Sequence, residues 1–157
     1  MRRFFYWFGI AAAVVLIVLV AGGVVLLRKG SALDAESKAY VETAVRAISS
    51  KWDQQELLDR ASPELRASLK PDALTQVFDK FSQYGSLVEY EGATGEAKMF
   101  YLNGETKISA EYKGNAKFDN GEATFNVALV KLSGKWLIYN FRFDSIGEWP
   151  TKKIEHT

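Results

Sequence analysis

The chain has 157 residues with 20 Lys and Arg against 19 Asp and Glu, and it contains no cysteine. A disulfide framework, a thiol nucleophile and a zinc–thiolate site are therefore excluded. Four of the 20 basic residues precede Asp34, which leaves 16 against 19 acids beyond it, so the basic surface that nucleic acid binding needs is not expected.

The first element in chain order is an uncharged stretch over residues 4–27, with Arg2-Arg3 before it and Arg28-Lys29 after it. Its length exceeds the roughly 20 residues that cross a bilayer, and it predicts a single transmembrane helix, with residues 1–29 as an anchor with basic flanks. A cleaved signal peptide is the alternative, but its apolar core would run only about 7–15 residues. Residues expected to face lipid or another helix are Phe4, Trp7, Gly9, Ala13, Gly22 and Gly23.

The charges around this stretch favour one orientation. Arg2, Arg3 and the amino terminus slightly outnumber Arg28 and Lys29, and positive charge biases the cytoplasmic side. We therefore expect a single-pass protein of the inner (cytoplasmic) membrane, with the N-terminus cytoplasmic and the C-terminal domain periplasmic or otherwise extracytoplasmic.

Helical periodicity follows a short linker predicted at residues 30–33. From Asp34, one apolar stripe holds Val41, Val45, Ile48 and Trp52, and Leu57-Leu58 extend or restart it. The sequence Ser62-Pro63-Glu64 is typical of a helix N-terminus. A further helix is predicted from Pro71, with a buried face ending before Gly85; that face holds Leu74, Val77, Phe78 and Phe81.

After Gly85 the period changes to two and predicts a curved antiparallel sheet. Asn103-Gly104 and Asn120-Gly121 predict two-residue hairpin turns, and Gly114 predicts a bulge or bend. For the last hairpin we favour a three-residue loop over 132–134 with Gly134 as a left-handed bulge residue. That loop aligns Leu137, Tyr139, Phe141 and Phe143 with Phe125, Val127 and Leu129. The predicted strands are 95–102, 105–118, 122–132 and 135–145, with a shorter one near 87–91.

The predicted fold class is α+β: an N-terminal single transmembrane helix followed by a cone of amphipathic helices packed on a curved antiparallel sheet. The domain spans 34–146, and 147–157 form a C-terminal tail. The element order, Tyr112-x5-Phe118 and Gly134-Lys135-Trp136-Leu137-Ile138-x2-Phe141 resemble the nuclear transport factor 2-like (cystatin-like cone) superfamily, membrane-anchored non-catalytic type. The resemblance covers residues 34–146. It implies two places for function, the mouth of the cone and the outer sheet face.

Members of this superfamily include ketosteroid isomerase-like and dehydratase-like enzymes, ligand binders and non-catalytic membrane-anchored domains. The single histidine, His156, lies in the tail, so neither a hydrolytic triad nor a histidine metal site is expected. An isomerase-like site needs a buried carboxylate beside a tyrosine. The pattern places Tyr40, Tyr101, Tyr112 and Tyr139 near the interior, whereas Asp79 and Glu89, the nearest acids, are expected at the surface. We therefore expect no enzyme activity, no cofactor and no metal.

Two kinds of binding site remain. Apolar residues expected to gather on the outer sheet face predict a surface for other proteins, unless 146–157 or the 87–91 strand covers them; they are Ala128, Val130, Trp136, Ile138, Phe100 and Leu102. The alternative is a cavity for a small hydrophobic ligand in the cone, lined by Trp52, Phe78, Phe81, Tyr112, Phe125, Tyr139 and Phe141, although a filled core is favoured.

The function expected from these features is that of a membrane-anchored accessory, assembly or scaffold protein. Its partners would be a membrane protein complex or further copies of the chain, together with the lipid bilayer. Binding or sensing of a small hydrophobic ligand is the alternative, and an isomerase-like or dehydratase-like enzyme comes third.

Overall fold

The structure, a computed structural model, describes residues 30–147. Helix α1 covers residues 30–51 of the described range. It is followed by α2 (Gln54–Arg60), α3 (Pro63–Ser68) and α4 (Pro71–Ser82). Four strands complete the domain: β1 (Leu87–Leu102), β2 (Glu105–Phe118), β3 (Gly121–Leu132) and β4 (Lys135–Ser145). All neighbouring strands are antiparallel, in the order β1-β2-β3-β4.

The predicted fold class needs one correction at its N-terminal end. Within residues 30–147, no helix is long and apolar enough to cross a membrane, so the fold is α+β without a transmembrane helix over this range. Residues 1–29, to which the span was assigned, lie outside the described residues, as do those beyond Gly147. Residues 30–33, predicted as a linker, are helical.

Helix α1 turns its apolar stripe to the core as the sequence predicts: Val41, Val45 and Ile48 are fully buried. The helix ends at Trp52, whose backbone is left-handed with φ 52°, and the Asp53 N–H donates to the Ile48 carbonyl at 3.2 Å. This closing pattern satisfies a carbonyl that the helix end would otherwise leave free. Leu57 consequently belongs to a restarted helix, α2.

Helices α3 and α4 begin where their N-terminal signals predict. The Ser62 hydroxyl accepts a hydrogen bond from the Leu65 N–H at 3.2 Å, and Pro63 follows at the first helical position. In α4 the buried residues are Leu74, Phe78 and Phe81. Val77 is 45% exposed, contrary to its predicted place on the buried face, because α4 packs through one narrow stripe.

The first hairpin is longer than expected, because the short strand near 87–91 is continuous with 95–102 in β1. Two irregularities interrupt its pairing with β2, one of them between Tyr90 and Ala93. The bulge predicted at Gly114 in β2 therefore lies on β1, opposite Gly114. An added Cβ at Gly114 would overlap the Gly92 carbonyl oxygen and the Phe125 ring, so Gly114 permits this close approach.

The second hairpin turns at Asp119-Asn120, one position earlier than predicted, with Phe118 opposite Gly121. The loop before β1 holds this turn, since the Ser86 N–H donates to the Asp119 carboxylate at 2.8 Å and the Asn120 N–H donates to the Tyr84 carbonyl at 2.9 Å. The pairing shifts by two residues. Because side chains alternate with period two, every predicted face assignment in β2 and β3 survives.

The third hairpin departs most from the prediction. Its turn has two residues, Ser133 and Gly134, both with positive φ, and Leu132 pairs with Lys135. The extra residue of β4 is Tyr139, because Ala128 pairs with Asn140 while Leu129 pairs with Ile138. Beyond this bulge Phe141 and Phe143 lie on their predicted face of the sheet, with the pairing displaced by two residues. Between the bulge and the turn, the β4 residues predicted to face inward face outward, and those predicted to face outward face inward.

One end of the core is an aromatic cluster between the helices and the inner sheet face. The Trp52 ring lies 5.2–5.4 Å, centroid to centroid, from the rings of Phe81, Phe118 and Phe143. The Trp52 indole N–H donates to the Gly85 carbonyl at 2.7 Å. These contacts join the end of α1 to α4, to the loop before β1 and to two strands, β2 and β4.

Candidate functional site

The predicted ligand cavity is occupied by its own lining. Five of its residues, Trp52, Phe78, Phe81, Tyr112 and Phe125, are at most 8% exposed. Phe78 packs on Phe81, and Phe125 packs on Phe143. The rings meet one another instead of surrounding a space, so the described interior is close-packed.

The other two predicted pocket residues lie elsewhere. Tyr139 is 54% exposed because the β4 bulge turns it outward, while Phe141 is half-buried. Phe141, together with Phe78 and Phe81, lines a small apolar cleft of about 270 Å³ beneath α3 and α4.

The buried polar groups hold the helices in place. The Tyr112 hydroxyl lies 2.9 Å from the Ser37 hydroxyl and donates to the Asp34 carbonyl at 3.0 Å. Burial raises the pKa of Tyr112. The Asp34 carboxylate accepts a hydrogen bond from the Ala97 N–H at 2.6 Å. This network joins the described start of the domain to β1 and β2, which is a structural role.

An isomerase-like carboxylate is not brought into the interior. Asp79 and Glu89 are both exposed, and Glu89 lies 3.5 Å from the Lys117 amine. Of the four tyrosines expected near the interior, Tyr112 is buried and Tyr40 half-buried, whereas Tyr101 is 74% and Tyr139 54% exposed. No cluster of His, Asp and Glu among residues 30–147 is arranged to hold a metal ion. The absence of enzyme activity stays a prediction.

The far end of the β1–β2 hairpin exposes four consecutive apolar side chains. Met99, Phe100, Tyr101 and Leu102 are 54%, 45%, 74% and 49% exposed. Successive strand residues point to opposite faces, so both faces of the ribbon are apolar here. We call residues 99–102 the hairpin tip. Such a contiguous exposed patch is typical of an interaction site.

On the outer sheet face the tip continues into an open groove of about 830 Å³, which we call the outer groove. Its lining combines apolar side chains with three carboxylates and three amines; they are Phe100, Ala128, Val130 and Tyr139, then Glu64, Glu96 and Glu111, then Lys98, Lys107 and Lys113. The charges balance, so the groove does not favour a polyanion. Aromatic residues set among polar ones are typical of protein interfaces.

The two edges of the sheet differ in protection. Along β4, the Ser62 N–H donates to the Ile138 carbonyl at 2.8 Å, and Ala61 forms a parallel bridge with Ile138. Along β1, the Ala97 N–H is satisfied by Asp34. Since outward and inward backbone groups alternate in an antiparallel strand, the N–H and carbonyl groups of Met99 and Tyr101 also point away from β2. Nothing within residues 30–147 pairs with these groups, so over this range the hairpin tip presents an open edge.

The residues predicted to bind a partner divide into two groups. Phe100, Ala128 and Val130 line the outer groove, and Leu102 is exposed at the tip. Trp136 and Ile138 are instead 5% and 0% exposed, because the bulge at Tyr139 turns them into the core. Their expected position on the outer face is wrong.

Sequence reasoning missed Met99 and Tyr101 and assigned Tyr139 to the interior. A usable signal was present, since 99–102 are apolar at four consecutive positions next to a hairpin turn. In a strand with one solvated face the pattern alternates, so an unbroken apolar run beside a turn indicates exposure on both faces or burial on both.

Comparison with protein-family models, with curated proteins and with solved structures finds no match to this chain. The resemblance to the nuclear transport factor 2-like superfamily accordingly stays a prediction, and the functional argument rests on the geometry of the hairpin tip and outer groove.

Proposed function

We propose that this domain works by association with other proteins, as an accessory, assembly or scaffold component, and that the hairpin tip and outer groove form its binding surface. The observation that carries the proposal is the exposure of four consecutive apolar side chains, Met99 to Leu102, on an open sheet edge. An isolated monomer gains nothing from this arrangement, because water contacts both apolar faces and the edge is a template for unwanted pairing.

The outer groove supports the same proposal through its chemistry. Phe100 and Tyr139 offer aromatic anchors, which are enriched at binding hot spots, and balanced Glu and Lys side chains supply a polar rim. The inner membrane location predicted from the sequence stays a prediction and is not needed for this surface to bind.

The test compares two single-residue variants of β1. Phe100→Asp places a carboxylate in the tip, whereas Val88→Asp changes a 65% exposed residue near the other end of the same strand. Full-length tagged chain, its Phe100→Asp form and its Val88→Asp form are purified under identical mild conditions, and the copurifying proteins are quantified by mass spectrometry.

We expect the Phe100→Asp form to lose its specific partners by at least about tenfold and the Val88→Asp form to keep them, at equal thermal midpoints; a tenfold change in binding is about 1.4 kcal/mol. Equal recovery of partners with all three forms would contradict the proposal.

A second candidate function, binding of a small apolar molecule, is favoured by the cleft lined by Phe78, Phe81 and Phe141. Its 270 Å³ lie just below the roughly 300–1,000 Å³ of typical ligand pockets, so only a small ligand would fit. Native mass spectrometry of the purified chain would show an added mass if a ligand is retained, and Ala73→Phe, which fills the cleft, should remove it. A spectrum of unliganded chain alone would count against this function.

A further inference from the structure

We propose that the occupant of the open edge is a second copy of this chain, paired antiparallel through the hairpin tip about a two-fold axis at Phe100. This inference rests on the proposed function, because it names the partner for the same surface. The pairing would join two four-stranded sheets into one of eight strands.

The backbone pattern supports this register. The outward-facing groups belong to Met99 and Tyr101, one on each side of Phe100. With Phe100 opposite its symmetry mate, Met99 of one copy faces Tyr101 of the other, and both pairs can exchange N–H to carbonyl hydrogen bonds. Four backbone hydrogen bonds result. The edge does not extend toward Ala97, because Asp34 already satisfies the Ala97 N–H.

The side chains are self-complementary in the same register. On the inner face Met99 contacts Tyr101 of the second copy, a favourable sulfur–aromatic pair, and on the outer face the two Phe100 rings meet. Side chains on both faces of the tip thereby gain lateral contacts, which a partner binding only one face would not provide.

Like-charge repulsion disfavours a neighbouring register. Centred on Phe100, the pairing sets Lys98 against Leu102 of the second copy, and the Lys98 amine stays within reach of Glu96 of its own chain, to which it lies 3.1 Å away. A shift that centres the pair on Lys98 would place two lysines directly opposite each other, which is destabilising.

A second copy also has an entropic advantage over a disordered peptide. The tip is already a strand, held by its pairing with β2 from Glu105 to Ile108 and by the left-handed turn at Asn103-Gly104. Association of two ordered edges costs less conformational entropy than ordering a flexible segment.

Cysteine cross-linking tests the geometry, since the chain has no cysteine of its own. In the proposed pair the Cα atoms at position 100 lie about 4.5 Å apart, within the range of about 4.4–6.8 Å that a disulfide spans. The matched control is Lys107→Cys, directly opposite Phe100 on β2. Two further strand spacings put those Cα atoms roughly 14 Å apart, beyond disulfide reach.

We expect full-length Phe100→Cys in mild detergent to form a disulfide-linked dimer under gentle oxidation, and Lys107→Cys to remain monomeric on denaturing gels. Equal cross-linking of the two variants, or none with Phe100→Cys, would overturn the proposal.

Met99→Pro tests the backbone hydrogen bonds in the otherwise unchanged chain. Proline removes an N–H that points away from β2, a position that edge strands tolerate. We expect the dimer dissociation constant, measured by sedimentation, to rise at least about tenfold while the circular dichroism spectrum is unchanged. If Met99→Pro fails to fold, the comparison of Phe100→Cys with Lys107→Cys alone decides whether the edges pair.

The outcomes separate this inference from the proposed function. A chain that stays monomeric but loses other proteins on Phe100→Asp substitution overturns the second-copy pairing and leaves the proposed function standing. A dimer that Met99→Pro does not weaken overturns the edge pairing.

Discussion

At the scale of single residues, Tyr90 shows how burial changes chemistry. Its ring stacks on Phe125 with centroids 5.4 Å apart and the Arg46 guanidinium lies 5.2 Å above it, yet its buried hydroxyl has no hydrogen-bond partner among the described residues. Burial, with a smaller contribution from Glu42, raises the pKa of Tyr90 from 10.0 to about 12. The phenolate is therefore strongly disfavoured in the folded domain.

A raised pKa has a definite consequence for stability. Below about pH 10, Tyr90 is neutral in both states; as the pH rises toward 12, the unfolded chain ionises first and the free energy of unfolding falls. Tyr90→Phe should remove only part of this alkaline loss of stability. The rest remains because Tyr112 and Tyr84 also have raised pKa values and contribute to it. At neutral pH Tyr90→Phe should be neutral or stabilising, since a buried unpaired hydroxyl is lost.

Denaturant unfolding of the chain and of Tyr90→Phe, at neutral pH and near pH 11, measures the difference. The same alkaline loss in both proteins would contradict the assignment to Tyr90.

At the scale of elements, the bulge in β4 decides which residues belong to the core. A single extra residue, Tyr139, exchanges the two faces of the strand between Trp136 and Ile138. The bulge lies where Ala61 and Ser62 attach to the sheet edge, and Ile138 is the residue they contact. The segment between α2 and α3 thus stabilises a register that the local turn sequence leaves open.

This register predicts opposite effects for neighbouring residues. Ile138→Ala should lower the free energy of unfolding by about 2–5 kcal/mol, because it opens a cavity in the core. Tyr139→Ala should change it by no more than about 0.5 kcal/mol, because the ring is more than half exposed. Urea unfolding of the two variants checks the assignment. The reverse order of effects would contradict the bulge and support the three-residue loop predicted from the sequence.

At the scale of the whole molecule, the domain separates a close-packed interior from one projecting, apolar hairpin end. The helices cover the inner sheet face as far as Ala97, which is half-buried, while beyond it both faces of β1 are exposed. The hairpin tip extends beyond the close-packed core, so its side chains are available for association without any change in the core.

Two aspartate substitutions distinguish these parts. Trp136→Asp should unfold the domain, because removing a ring that is only 5% exposed costs about 3–5 kcal/mol, and the nearby Lys131 amine is already paired with Glu36. Phe100→Asp should leave the thermal midpoint within a few degrees of the original chain. Circular dichroism melting curves compare them. A folded Trp136→Asp protein would place Trp136 at the surface and contradict the bulge.

The amino-acid sequence by itself determined the elements within residues 30–147: the buried stripe of α1, the N-terminus of α3 at Ser62, the four long strands and the faces of β2 and β3. Helix caps, side-chain periodicity and the turn at Asn103-Gly104 depend on residues close in sequence, so they can be predicted from the sequence alone. The outward-facing positions of Phe100, Leu102, Ala128 and Val130 followed from the same alternation, although Ala128 and Val130 are half-buried.

Only the tertiary structure decided the position of the β4 bulge, and with it the burial of Trp136 and Ile138 and the exposure of Tyr139. It also closed the edge at β4 and left the one at Met99 and Tyr101 open, which turned a sheet face into a candidate site. The physical reason is that a register shift of one residue costs little locally, and the choice is made by contacts from Ala61 and Ser62, more than 70 residues away in the chain.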